Sequence, residues 1–222
     1  MDTLMTAEVK SKRREPPTPP RAPAPALPFD PTSTQGRLLL AASAVLAERG
    51  VADVTVEEVL QVARVARRTF YKHFASRDDL LVTLHRTLSE GFVAATKAAS
   101  RAGSVDEHVA RTVDVFLTVA QRGGALFRVL QGEALRPGSP LAPRRQELFI
   151  LLAELHGRAA AGARGEAPDP LIVHGALAGV EAILHRVVLE GPLEGARLDR
   201  ARAAMIGLLS SALSAPPRRG SA

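Results

Sequence analysis

From Thr34 to about Leu213 the apolar residues recur at the spacing of one helical face, and the strict alternation of a half-buried strand is absent. In TQGRLLLAASAVLAERG, Leu38, Ala42, Val45 and Leu46 form one stripe. Ser33 or Thr34 caps its start, and Gly50 supplies a left-handed stop. Thr55 and Glu58 in TVEE make a capping box, which opens a short helix running to about Val62. A second short helix starts near Ala66. Ser76 and Asp79 repeat the capping device and open a long helix through Leu80, Leu84, Leu88 and Phe92 to about Arg101.

The same rhythm continues. SVDE at 104–107 opens a helix carrying Val109, Val113, Phe116 and Leu117, which RGG at 122–124 should break, leaving a short helix with Leu126, Phe127 and Leu130. RPGSP is a loop, and RRQELFILLAELHGRAAA is a helix with Leu148, Leu151, Leu152 and Leu155 inside. Asp169 followed by Pro170 is a cap with proline in the first helical turn, starting a very apolar helix to Glu190. A last helix spans roughly Leu198 to Leu213. The expectation is an all-α chain of about nine helices, three short or medium ones followed by six that can form a bundle.

Composition sharpens this outline. Half of the sixteen prolines fall within the first 34 residues, interleaved with alanine and with KSKRRE, so residues 1–33 are expected to be a disordered basic tail, a solubilising segment before it is a mobile arm whose Lys10, Lys12, Arg13 and Arg14 brush DNA phosphates. Residues 216–222 form a second tail. The 222 residues contain no cysteine, which removes disulfides, thiolate metal sites and thiol nucleophiles. GxSxG, phosphate-loop and HExxH patterns are also absent, and the six histidines are scattered, so an enzyme is not expected. The N-terminus lacks the apolar core of a secretory signal. The apolar run LIVHGALAGVEAILHRVVL is interrupted by His174, Glu181 and His185 and reads as a buried helix, so a cytoplasmic protein without a membrane span is expected.

The formal charge of +6 favours a polyanionic partner, and one window concentrates it. ARVARRTFYKHFASRDDLL holds Arg64, Arg67, Arg68, Lys72 and Arg77 before its first acid, Asp78. On a helix starting near Ala66, positions 66, 70 and 74 share one side. Phe70 and Phe74 would anchor that side, leaving Arg67, Arg68, Tyr71 and Lys72 outside. Two short helices in this order describe a helix-turn-helix whose second helix fits a major groove.

The run from Arg37 to Leu81, with TFYKHF followed by a basic residue at 77 and Leu80, resembles the DNA-binding domain of the TetR family of transcriptional regulators. The resemblance implies residues 34–80 as the DNA-binding domain and 81–215 as a ligand-binding and dimerisation domain. It implies a homodimeric regulator, by expectation a repressor, that binds a palindromic double-stranded operator and is released by a small, largely apolar effector. No cofactor is implied. Thr69, Tyr71 and His73 would contact phosphates or sugar, Arg77 would clamp a phosphate, Arg67, Arg68 and Lys72 would face base edges, and Thr55 is counted among the DNA-binding residues.

Three positions depart from the family pattern. Arg64 stands where most relatives have glycine in the turn, Ala66 where they have a serine cap, and Leu60 where they have a small residue. The alternative expectation is therefore a helical ligand-binding or protein-interaction protein with a degenerate helix-turn-helix. Phe92, Phe116, Phe127, Phe149 and His156 are candidate pocket walls, of which two are expected to line the pocket and the others to be core. Ala176, Gly179, Ile183, Val187, Met205 and Leu209 are the candidate dimer contacts. His174, Glu181 and His185 lie along one side of a helix, and His and carboxylate ligands would suit zinc, but Glu181 and His185 are expected either to pair with each other at the dimer surface or to line the pocket mouth.

Overall fold

The computed structural model describes residues 28–99 and 104–214. They form eight helices: α1 (Thr34–Arg49), α2 (Val56–Ala63), α3 (Arg67–His73), α4 (Arg77–Ala99), α5 (Val105–Leu135), α6 (Ala142–Arg164), α7 (Pro170–Leu189) and α8 (Gly195–Ser214). No strand occurs among the described residues. The expected count was about nine. The difference lies at Gly124, whose φ of 51° and ψ of −122° are not helical, yet α5 resumes on its far side as a kinked continuation. A backbone break was legible there; an element boundary was not.

Local chemistry explains the helix starts. Ser33 Oγ accepts from Gly36 N at 3.0 Å. Thr55 and Glu58 exchange the two bonds of a capping box. Ser76 Oγ accepts from Asp79 N at 3.0 Å, while the Asp79 carboxylate reaches back to Ala75 N at 2.8 Å. Ser104 caps α5 and Asp169 caps α7.

Residues 1–27 and 216–222, expected as tails, lie outside the described residues, as does the end of the long fourth helix beyond Ala99. Residues 28–33 are not part of a loose tail. Phe29 is buried in the first core, and the Asp30 carboxylate accepts from Thr32 N at 2.9 Å, because an apolar side chain followed by an Asp turn can be anchored where an Ala/Pro run cannot.

Two cores organise the chain. The first joins Leu38, Val45, Leu46, Val59, Phe70 and Phe74 of the three short helices with Leu80, Leu81 and Leu84 of α4. It also takes Leu126, Leu130 and Ala134 from the part of α5 beyond Gly124, and Leu141. The second core holds the rest of α5 with α6, α7 and α8. α5 therefore serves both cores, and packing does not divide at residue 80. Among the described residues α7 is the one helix long and apolar enough to cross a membrane by composition; its Val173, Ala176, Leu177, Val180 and Leu184 are buried in the second core.

Candidate functional site

The turn between α2 and α3 is built from the residues that looked least suited to it. Arg64 adopts φ 53° and ψ 50°, the left-handed conformation usually given to glycine, and its N–H closes onto the Gln61 and Leu60 carbonyls. Val65 N–H reaches the Leu60 carbonyl at 3.2 Å and its side chain is buried. Ala66 begins α3 with no side-chain cap. The motif closes despite both departures, and Leu60 packs against the first core.

Phe70 and Phe74 are fully buried, as the spacing predicts, with ring centroids 5.6 Å apart. They turn the opposite side of α3 outward, so Arg67, Arg68, Tyr71, Lys72 and His73 are exposed and Thr69 is half-buried. Arg67 pairs with Glu57 of α2 and lies over the Tyr71 ring at 5.9 Å. Both partners of that pair are exposed, so it is weak and exchangeable. Thr55 is exposed, but its backbone N–H and hydroxyl are bound to the Glu58 carboxylate.

Arg77 departs from its expected role. Its guanidinium donates to the Val51 carbonyl at 3.1 Å and the Val54 carbonyl at 3.3 Å, and pairs with Asp78 at 3.3 Å. Those carbonyls belong to the loop between α1 and α2, so Arg77 is a strut between that loop and α4. An arginine with its donors directed at carbonyls of its own chain is not presented as a phosphate clamp.

A second feature lies between the cores: a cavity of about 330 Å³ walled by α4, α5, α6 and α7. Phe92, Phe116, Phe127, Phe149 and His156 all line it. The sequence expectation of two was too low, because the kink at Gly124 brings Phe127 around to stand 6.1 Å from Phe116, which is itself 5.5 Å from Phe92. Polar residues interrupt this wall at separate places. At one, Glu181 is buried and accepts from Arg145 Nε at 2.9 and 2.8 Å and from Gln131 Nε2 at 2.8 Å. Arg145 also covers the Phe149 ring at 4.4 Å. At another, His156 meets His108, with Nδ1 and Nε2 2.7 Å apart. Burial pushes the His156 imidazole down to about 3, with repulsion from His108 adding to it, and burial lowers His108 as well. His85, on the α4 wall, is lowered by burial too.

Residues 38–84, which span α1 to the first turns of α4, match the family model of bacterial regulatory proteins of the tetR family. Over that stretch the chain is similar to tetR-family regulatory proteins. Solved structures extend the likeness beyond that domain. The multidrug binding protein EbrR complexed with imidazole is 28% identical, with 85% of this chain and 99% of that one covered at a TM-score of 0.59. A TetR-like transcriptional regulator from Rhodococcus sp. RHA1 is 22% identical, with 82% and 97% covered at 0.63. The fatty acid degradation regulator FadR from Bacillus halodurans is 17% identical, with 82% and 97% covered at 0.66. The last two share the fold. No curated protein matches the chain.

The expected dimer contacts on α7 and α8 need correction. Met205 and Leu209 are 0% and 1% exposed, and Ala176 and Val187 are buried beside them in the second core. Gly179 is close against Leu208 of the same protomer, and Ile183 packs on the second core. The apolar stripe of these helices faces inward, so the expectation chose the wrong side. The outer side carries Leu171, 71% exposed, with Ile172, Gly175, Ala182 and Leu189 on α7 and Ala204 and Leu208 on α8. Glu181 does not pair with His185; it points inward to Arg145 and lines the cavity, the other expectation for it, whereas His185 does not line the cavity. His174 lies against Phe149, ring centroids 5.6 Å apart, and no group of potential metal ligands gathers among the described residues.

Sequence reasoning missed Gln131, Arg145, Thr112 and His85 as cavity residues. Glu181, an acid inside an apolar helix, was the one available signal that a buried cation would face it.

Proposed function

We propose that this chain is a non-enzymatic, cytoplasmic transcriptional regulator, a repressor that binds a palindromic duplex operator as a homodimer and leaves it when a small, largely apolar effector fills the cavity. The observation that carries the reading is the outward row Arg67, Arg68 and Lys72 on a helix fixed from behind by Phe70 and Phe74. Arginine at such a position can grip guanine O6 and N7 in bidentate fashion, worth about 1–3 kcal/mol of discrimination, so a G·C-containing half-site is expected. Thr69, Tyr71 and His73 are assigned to sugar and phosphate contacts, which set register without reading sequence. Thr55 joins them through whatever capacity its capping box leaves. Arg77 is left out of that set because its donors are engaged.

Dimerisation is assigned to the outer side of α7 and α8. Small and apolar residues there form one stripe on each helix, and an isologous contact between two such pairs would cover Leu171, Ile172, Leu189 and Leu208. The cavity supports effector control: its size, mostly apolar wall and few polar groups are those of a small-molecule site. A degenerate, non-binding helix-turn-helix is the less favoured reading, since Arg64 completes the turn.

The test uses the full chain with fluorescent duplex taken from the DNA upstream of its own coding region, read by anisotropy across a salt series. Specific binding at a stoichiometry of two chains per duplex is expected. Lys72→Ala and Arg68→Ala should narrow the margin over scrambled DNA, whereas Tyr71→Phe should weaken all sequences alike. Equal affinity for upstream and scrambled duplex would refute operator recognition there. An effector should weaken operator binding by about 5- to 150-fold, and operator should weaken effector binding by the same factor.

A further inference from the structure

The polar groups around the cavity differ in whether they are already satisfied. Glu181, Arg145 and Gln131 close on one another, so that corner has no unmet carboxylate. The opposite holds at Thr112. It is buried, it lines the cavity, and its hydroxyl has no hydrogen-bond partner among the described residues. A helical hydroxyl ordinarily returns to the carbonyl four residues back. Ser43 does so at 2.8 Å to Leu39 and Thr87 at 3.0 Å to Thr83, but Thr112 does not.

One turn earlier on α5, His108 bonds His156, which lines the same cavity, while His108 Nδ1 is buried without a partner. In such a pair one ring donates and the other accepts, so of the two outer nitrogens one carries hydrogen and one is bare. Exchanging the tautomers of the pair exchanges those roles. Both rings are held neutral, since burial lowers each. A charged group brought to this end would lose its water and face a neutral hydroxyl and two neutral imidazoles, whereas an uncharged hydroxyl could donate and accept.

We propose that the cavity takes an uncharged, hydroxyl-bearing apolar molecule whose oxygen is held at Thr112 and His156 while its hydrocarbon body lies among Phe92, Phe116, Phe127 and Phe149. The inference rests on reading the cavity as the effector site. At the roughly 30 Å³ that one water takes in the liquid, the 330 Å³ space is on the order of ten waters in size, which suits a small molecule of about that many non-hydrogen atoms. Phenols with a short alkyl chain meet both requirements. Selectivity for the hydroxyl follows because a hydrocarbon of the same shape leaves Thr112 as unsatisfied as before.

The experiment is calorimetric titration of the full chain at neutral pH with para-butylphenol, butylbenzene, para-butylbenzoate and para-butylbenzylammonium. The phenol is expected to bind at least about tenfold more tightly than the other three. Thr112→Val, which keeps the shape and removes the hydroxyl, should lower phenol affinity by about tenfold and leave butylbenzene unchanged, the unchanged hydrocarbon reporting an intact cavity. The inference is overturned if butylbenzene equals the phenol, or if Thr112→Val leaves phenol affinity as it was. It is also overturned if the benzoate or the ammonium binds tightest, which would move the anchor to Arg145 and to Arg122, which also lines the cavity, or to Glu181. Binding by none of the four would instead overturn the effector-site reading itself.

Discussion

Replacing Glu181 by glutamine removes one charge and almost no volume, and it isolates what the Arg145 pair contributes. Glu181 and Arg145 have side-chain exposures of 5% and 22%, so the carboxylate is desolvated and the guanidinium keeps partial access through the cavity. Breaking a fully buried pair from one side costs about 3–5 kcal/mol, mostly because the remaining charge is left without compensation. Partial access of Arg145 to the cavity screens that penalty, and its stacking on Phe149 survives, so roughly 2–4 kcal/mol is expected. The double replacement Arg145→Met with Glu181→Leu should recover most of the loss, since well-packed apolar substitutes for a buried pair are often neutral. Urea denaturation at neutral pH, with chain concentration held fixed because dimerisation adds to apparent stability, measures all corners of the cycle. A cost below about 1 kcal/mol for Glu181→Gln would show that Arg145 is solvated in the folded state and that this corner of the cavity is wet.

Three further outcomes are expected. Arg64→Gly relieves a left-handed non-glycine residue at about 1–2 kcal/mol and returns about half of that as unfolded-state entropy, so a gain near 1 kcal/mol, or about 2–4 °C in melting temperature, is expected; a lower melting temperature would mean that the guanidinium holds the turn. Acidification tests the buried histidines: His156 is neutral when folded and titrates at its ordinary value when unfolded, so the unfolded state binds more protons as pH falls from about 6.5 toward 3 and stability declines across that window. About 2 kcal/mol should be lost by pH 5, and chemical melts in which His156→Leu shows the same decline as the parent would exclude this source. Gly124→Ala forces a side chain into φ 51°, ψ −122°, and about 1–3 kcal/mol of destabilisation is expected by thermal melting; a neutral result would mean that α5 straightens at no cost.

How far the sequence could be read depended on the length scale of each signal. Caps, stripes and the TFYKHF order are local, and Ser33, Thr55, Ser76, Ser104 and Asp169 all sit where side-chain chemistry puts them. The inward side of α3 followed from the spacing of two phenylalanines. The kinked continuity of α5 was not legible, because Gly124 announces a backbone break without saying whether helix resumes in line. For α7 and α8, apolar residues cover more than one side, and periodicity alone does not tell which side meets the protomer's own core. Met205 and Leu209 were therefore assigned outward and proved internal. Arg145 and Gln131 needed the fold: nothing between residues 131 and 181 indicates that both would meet Glu181.

Arg77 offers the clearest separation between a role carried over by resemblance and one read from geometry. A phosphate clamp and an internal strut both require a guanidinium, but they respond oppositely to salt. Neutralising a phosphate releases counterions, so removing a true contact should flatten the log affinity against log salt by about 0.9 per half-site. Arg77 instead ties the Val51 and Val54 carbonyls to the start of α4, and its charge, after hydrogen bonds from Arg136, helps hold the buried Glu133 carboxyl at the end of α5 below its usual range. Arg77→Met should therefore leave the salt slope of operator binding unchanged. It should also lower stability by roughly 1–3 kcal/mol, the worth of charge-assisted bonds discounted for partial exposure. Because Leu126 and Leu130 line the cavity and also pack in the first core, loosening this strut should further reduce the factor by which an effector weakens operator binding. Anisotropy across a salt series and urea melts distinguish the two roles. A slope flattened by about one unit per half-site, with stability intact, would mean that Arg77 leaves its carbonyls for a phosphate on the duplex and that the strut is a feature of the free protein alone.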